Sequence, residues 1–139
     1  MAICRFQYAV KVLCGEVRER GGPLAPGLYT TEINVHNPSD HPVFLRKRLA
    51  LTMPPGGQKE GEVVLVEEHP LAPERALAVD CRYLGERIGV GPFFIGFLVI
   101  ESTDSLDVVA VYTTSGFREG TAPSIAVEQV KERRTTRTE

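Results

Sequence analysis

The sequence predicts an all-β protein: a single antiparallel β-sandwich of about seven to eight strands with one short helical turn. Three observations carry that expectation. Apolar residues alternate with polar ones in short runs of period two, the signature of strands with one face inward. Clusters of Gly, Pro, Asn, Asp and Ser recur between those runs at the spacing of sandwich turns. No apolar repeat of helical period extends far enough for a helix that could cover a sheet.

The first strand is expected over residues 6–14, with Phe6, Tyr8, Val10, Val12 and Cys14 on one face. A charged, Gly- and Pro-bearing loop follows over 16–27, where Pro23 and Pro26 exclude regular pairing. Residues 28–37 form the second strand: Tyr29, Thr31, Ile33 and Val35 share one side, and Thr30, Glu32, Asn34 and His36 the other. The cluster Asn37, Pro38, Ser39, Asp40, His41 is a turn, so a third strand over 43–53 is expected to return antiparallel beside the second. That register sets Glu32 against Arg48 and Asn34 against Arg46, and leaves Lys47 on the apolar face, either re-aimed by a bulge or snorkelling outward. Residues 54–61, PPGGQKEG, read as a loop, 63–66 and 76–81 as short strands, and RYLGERI within 81–89 as a helical turn capping one end of the sandwich.

Residues 96–114, GFLVIESTDSLDVVAVYTT, are apolar on both faces and read as a central antiparallel hairpin turning at Ser102 to Ser105. A sandwich covers one face of each sheet, so a hairpin dry on both faces calls for a second cover from another subunit. Phe97, Leu98, Val108, Val109 and Val111 are therefore the expected oligomer interface, with the choice of face open. Residues 124–130 form a last strand, with Ile125 and Val127 on its apolar side. The tail 131–139, KERRTTRTE, holds nothing to bury and is expected to be a flexible polar extension of a domain spanning 1–130.

The chain has 139 residues, 42% hydrophobic and 24% charged, which suits one domain with a real core. A formal charge of -2 supplies no attraction to nucleic acid or anionic membrane, and the N-terminal run carries Arg5 and Lys11 where a signal peptide would be apolar. Cytoplasmic residence follows as the expectation. The three cysteines, Cys4, Cys14 and Cys81, are odd in number and lack C-x-x-C spacing, so buried reduced thiols are expected.

Chemistry is sparse. A hydrolytic triad has only His36, His41 and His69 to draw on and no nucleophile elbow. His36, Glu32 and a cysteine could meet across strands, but no metal-ligand spacing supports them, and no metal or other cofactor is expected. Gly85, Gly89 and Gly91 precede a strand, where a phosphate cradle would precede a helix. Arg133, Arg134 and Arg137 lack an aromatic stacking platform for nucleic acid. The best functional candidate is the polar face Thr30, Glu32, Asn34, His36, Arg46 and Arg48, able to take a small polar ligand or a protein partner.

Two resemblances accompany this reading. YAVKVLCG, GLYTTEINVHNPSD, GFLVIESTDSLDVVAVYTTSG and SIAVEQV together resemble a group of small uncharacterised bacterial proteins. The strand entering an Asn-bearing turn, the segment LAPERALAVDC, and VIESTDSLDVVAVYT more distantly resemble the sensory rhodopsin transducer family. That second likeness implies a small β-sandwich that forms homotetramers, and it transfers no binding residue. The expected function is a non-enzymatic homo-oligomeric interaction or ligand-binding module. Its rival is a structural subunit of a ring, cage or filament, and a weaker third reading is a small enzyme using His36 and Glu32 at a subunit interface.

Overall fold

Residues 8–14, 31–35, 43–49 and 96–100 bury every second residue, as period-two alternation requires, whereas 124–129 and 132–134 are exposed throughout. The computed structural model describes residues 3–89, 91–118 and 123–135. Nine strands occur among them: β1 (Phe6–Val17), β2 (Gly27–His36), β3 (Val43–Thr52), β4 (Glu60–Leu71), β5 (Ala76–Asp80), β6 (Phe93–Ser102), β7 (Asp107–Ser115), β8 (Ser124–Gln129) and β9 (Glu132–Arg134). One helix, α1 (Cys81–Ile88), follows β5 directly. All pairings are antiparallel, in the order β4-β3-β6-β1-β2-β7-β8, with β5 on β2 and β9 on β1.

This single sheet folds over at β1. Residues Phe6 to Gly15 of β1 pair with β6, whereas Gly15 to Val17 pair with β2, so β1 belongs to one layer at its start and joins the other at its end. Gly15 makes the corner possible. Its φ is +119°, and a Cβ there would lie 2.0 Å from the carbonyl oxygen of Pro92. Val10 and Val12 of β1, Leu45 and Leu49 of β3, and Leu98 and Ile100 of β6 thus meet Ile33 and Val35 of β2 and Val108 and Ala110 of β7 in one core.

The fold class agrees with the sequence expectation; the strand neighbours do not. β2 and β3 do not pair: β2 lies beside β1, β5 and β7, and β3 between β4 and β6. Nor do β6 and β7 form a hairpin. β6 pairs with β1 and β3, β7 with β2 and β8, and the link between them crosses from one layer to the other. Specific bonds hold that crossing. Ser102 Oγ donates to the carbonyl of Asp104 at 2.5 Å, and the Leu106 amide donates to the buried Tyr8 hydroxyl at 2.6 Å. The short acidic segment looks like a hairpin turn in sequence, but its bonds go to its own Ser102 and across the core.

Other elements depart from expectation in smaller ways. β4 runs over Glu60–Leu71 instead of 63–66, because pairing with β3 carries its glutamate-rich ends along. α1 is a two-turn helix: Asp80 Oδ1 accepts from the Tyr83 amide at 2.8 Å, Gly89 closes it at φ +63°, and Leu84 is buried. The expected solvated tail is partly structured, since β9 pairs Phe6↔Arg134 and Tyr8↔Glu132. Residues 136–139 of that tail lie outside the described residues.

The cysteine expectation is overturned. Cys14 and Cys81 form a disulfide that ties β1 to the first residue of α1 across 67 residues, and Cys4 is buried outside it. Sequence spacing could not reveal the bridge, because the fold, not the chain, brings the two residues together. No helix among the described residues is long and apolar enough to cross a membrane.

Candidate functional site

The polar face expected to hold six residues does not exist as one surface. Thr30, Glu32, Asn34 and His36 point outward from β2, where Glu32 lies opposite Val111 and Asp80, and Asn34 opposite Val109 and Ala78. Arg46 and Arg48 point outward from β3, on the other layer, opposite Glu68 and Leu65 on one side and Glu101 and Val99 on the other. The two groups face solvent on opposite sides of the sandwich. The set His36, Glu32 and Arg48 is therefore not brought together.

Each half has local partners. Asn34 Nδ2 donates to Glu32 Oε1 at 3.3 Å, and His36 Nδ1 lies 2.9 Å from Asp107 Oδ2. Arg46 Nε donates to Glu68 Oε1 at 3.2 Å, and an Arg48 guanidinium N–H donates to Glu101 Oε1 at 2.7 Å. Glu101 is almost fully buried although it is on an outward face, because arginine side chains from β3 lie across it.

Lys47 points into the core. Its Nζ donates to the Tyr83 hydroxyl at 3.1 Å and lies 4.0 Å from Glu67 Oε1, while Tyr83 donates in turn to Glu67. Burial holds the Lys47 amine below its ordinary range and pushes Tyr83 up to about 12. A register shift against β4 does fall next to Lys47, but the side chain stays inward and reaches its partners on α1 and β4. The cluster fastens the helix to the sheet.

The other histidines are committed as well. His41 sits between two carboxylates, Nδ1 3.1 Å from Asp40 and Nε2 2.9 Å from Asp104, and the bond to Asp104 is the chief reason its pKa is raised. Ser39 lies two residues before it, but its hydroxyl donates to the Asn37 side chain at 2.7 Å, and both His41 ring nitrogens are engaged by carboxylates. Such a histidine cannot take a proton from Ser39. Asn37 is the centre of this turn, with its amide donating to the carbonyls of His41, Leu71 and Ala72. No group of three or more potential metal ligands occurs among the described residues. An open groove of about 590 Å³ lies beside Asp104, lined by Ile3, Arg5, Phe6, Thr103, Asp104 and Arg134, and Arg134 lies 4.5 Å over the Phe6 ring.

Of the expected interface residues, Leu98 and Val108 point into the core, whereas Phe97, Val109 and Val111 face outward. Because β6 and β7 belong to different layers, Phe97 lies on one outer surface and Val109 and Val111 on the other. The Phe97 surface is the more apolar. Phe97 is 44% exposed, opposite Ala50 on β3, which in turn faces Val63 of β4 at 62% exposure; Leu65 follows at 55%. Val99 and Ile95 extend the patch along β6. Val63 and Leu65 escaped the sequence reading, although the unbroken run VVLV, apolar on both sides, was the signal.

No family model matches the sequence, and no curated protein matches it significantly. The crystal structure of Thermotoga maritima 1070 is similar in fold, with a TM-score of 0.53 at 12% identity over 94% of this chain and 100% of that one. At that identity the likeness speaks to the fold alone.

Proposed function

We propose that this protein is a non-enzymatic interaction module that self-associates through the outer face of the β4-β3-β6-β1 layer, its partner being a second copy of the chain. One observation carries the reading: Val63, Leu65 and Phe97, all well exposed, adjoin Ala50, Val99 and Ile95 on neighbouring strands. Contiguous apolar surface of this kind on a small domain marks an interface. Lys11, whose amine lies 5.5 Å from the Phe97 ring, borders the patch on β1, and Arg48, opposite both Leu65 and Val99, sets one charge within it.

Phe97→Glu should shift the species seen by multi-angle light scattering to a lower mass with an unchanged circular dichroism spectrum. Leu98→Glu, one residue away on the buried side, should unfold the domain. A monomeric wild type at micromolar concentration, or an unchanged mass for Phe97→Glu, overturns the proposal.

A second reading, a subunit of a ring, cage or filament, draws on exposed Ile125 and Val127 of β8 in the other layer. Apolar surface on both outer sides lets contacts propagate beyond a pair. Electron microscopy distinguishes the two, and a small closed oligomer eliminates the filament and cage.

A further inference from the structure

Strand β8 is an open edge of the sheet, hydrogen-bonded only to β7 among the described strands. The Val130 amide donates to the Val108 carbonyl at 2.9 Å, which sets the phase of that ladder. Even-numbered residues of β8 turn their main-chain groups toward β7, so Ile125, Val127 and Gln129 turn theirs outward. The same three side chains stand on the outer face, in register with Thr113, Val111 and Val109. Ile125 is 70% exposed and Val127 66%.

The other end of the sheet is defended differently. β4 carries Glu60, Glu62, Glu67 and Glu68 along its length and Pro70 near its end, so a copy of β4 laid against it would oppose like charges and lose a donor. β8 carries one charge, Glu128, and no proline. An edge strand this apolar and undefended is a template for another strand.

We infer that β8 pairs antiparallel with β8 of a second copy about a twofold axis through Val127, an interface separate from the Phe97 face. This register is the one in which all three outward-facing residues are used. Val127 meets its own copy, Ile125 meets Gln129, and roughly six main-chain hydrogen bonds form. Glu128 then faces Ala126, so no like charges oppose one another. Ile125 and Val127 from both copies join into one apolar strip alongside Val111. Self-complementarity in hydrogen bonding and apolar surface, with no like charges opposed, is what selects a second copy over a foreign strand.

Cross-linking tests the register directly. In a Cys4→Ala background, Val127→Cys places its Cα about 5.5 Å from its own copy, within disulfide range, whereas Ile125→Cys lies about 14 Å from its copy. Mild oxidation should give a covalent dimer with the first variant and not with the second. Independently, Val127→Pro removes an outward donor without touching the β7 ladder. In a Phe97→Glu background, which isolates this interface from the other, it should raise the dimer Kd about 30-fold, the worth of two net hydrogen bonds, with the circular dichroism unchanged. Equal cross-linking at both positions, no cross-linking at Val127, or a Kd unmoved by the proline in a folded protein would each overturn the inference.

Discussion

Removing the Cys14–Cys81 bridge should destabilise the domain by about 4 kcal/mol, the chain-entropy value for a cross-link spanning 67 residues. The bridge closes most of the N-terminal half of the chain, from the β1 corner to the start of α1, so the unfolded state gains the corresponding freedom when it opens. Cys14 is itself buried beside the core, and Cys14→Ala with Cys81→Ala keeps most of its packing while abolishing the link. The chain has no Trp, so urea unfolding is best followed by circular dichroism or tyrosine fluorescence. The double variant should show a lower midpoint, and the wild type in reductant should match it. Thiol titration in denaturant supplies the independent check: one reactive thiol, from Cys4, before reduction and three after. Three thiols without reductant would refute the bridge, and a destabilisation below about 1 kcal/mol would refute the entropic reasoning.

Two further outcomes follow from local geometry. Gly15→Ala should cost at least about 2 kcal/mol, because the left-handed backbone and the carbonyl of Pro92 both exclude a Cβ; wild-type stability in that variant would contradict the corner described for β1. The His41 ring should titrate above its ordinary value, chiefly through Asp104 and then Asp40, so its small contribution to stability is full below the unfolded pKa and lost as pH rises through the folded one. An NMR titration checks this, and Asp104→Asn should lower the midpoint; an unmoved midpoint refutes the assignment.

Much of the fold is legible in the residues, and the limit of that legibility is physical. Period-two alternation assigns each side chain to a face before any neighbour is known, which is why Thr31, Ile33 and Val35 against Glu32 and Asn34, or Leu98 against Phe97, sort as the sequence implies. Alternation carries no information about which strand lies alongside. The expected pairs, β2 with β3 and β6 with β7, failed for one reason: sequence proximity suggests a hairpin, while a sandwich lets a short connection cross between layers and bury both strands against each other's inner faces. The polar site composed across β2 and β3 failed with them. α1 sits where the chain reads as a helical turn, its start fixed by Asp80 and its end by Gly89, both local chemistry.

The Cys14–Cys81 bridge, the burial of Lys47 against Tyr83 and Glu67, and the pairing of β9 with β1 all depend on contacts between residues distant in the chain. From the residues alone follow an all-β domain, the alternation of its strands between two faces, and more apolar surface than one layer of cover can bury. Where that surface lies, on the Phe97 face of one layer and the β8 edge of the other, follows from strand order, which long-range packing sets and no local period encodes.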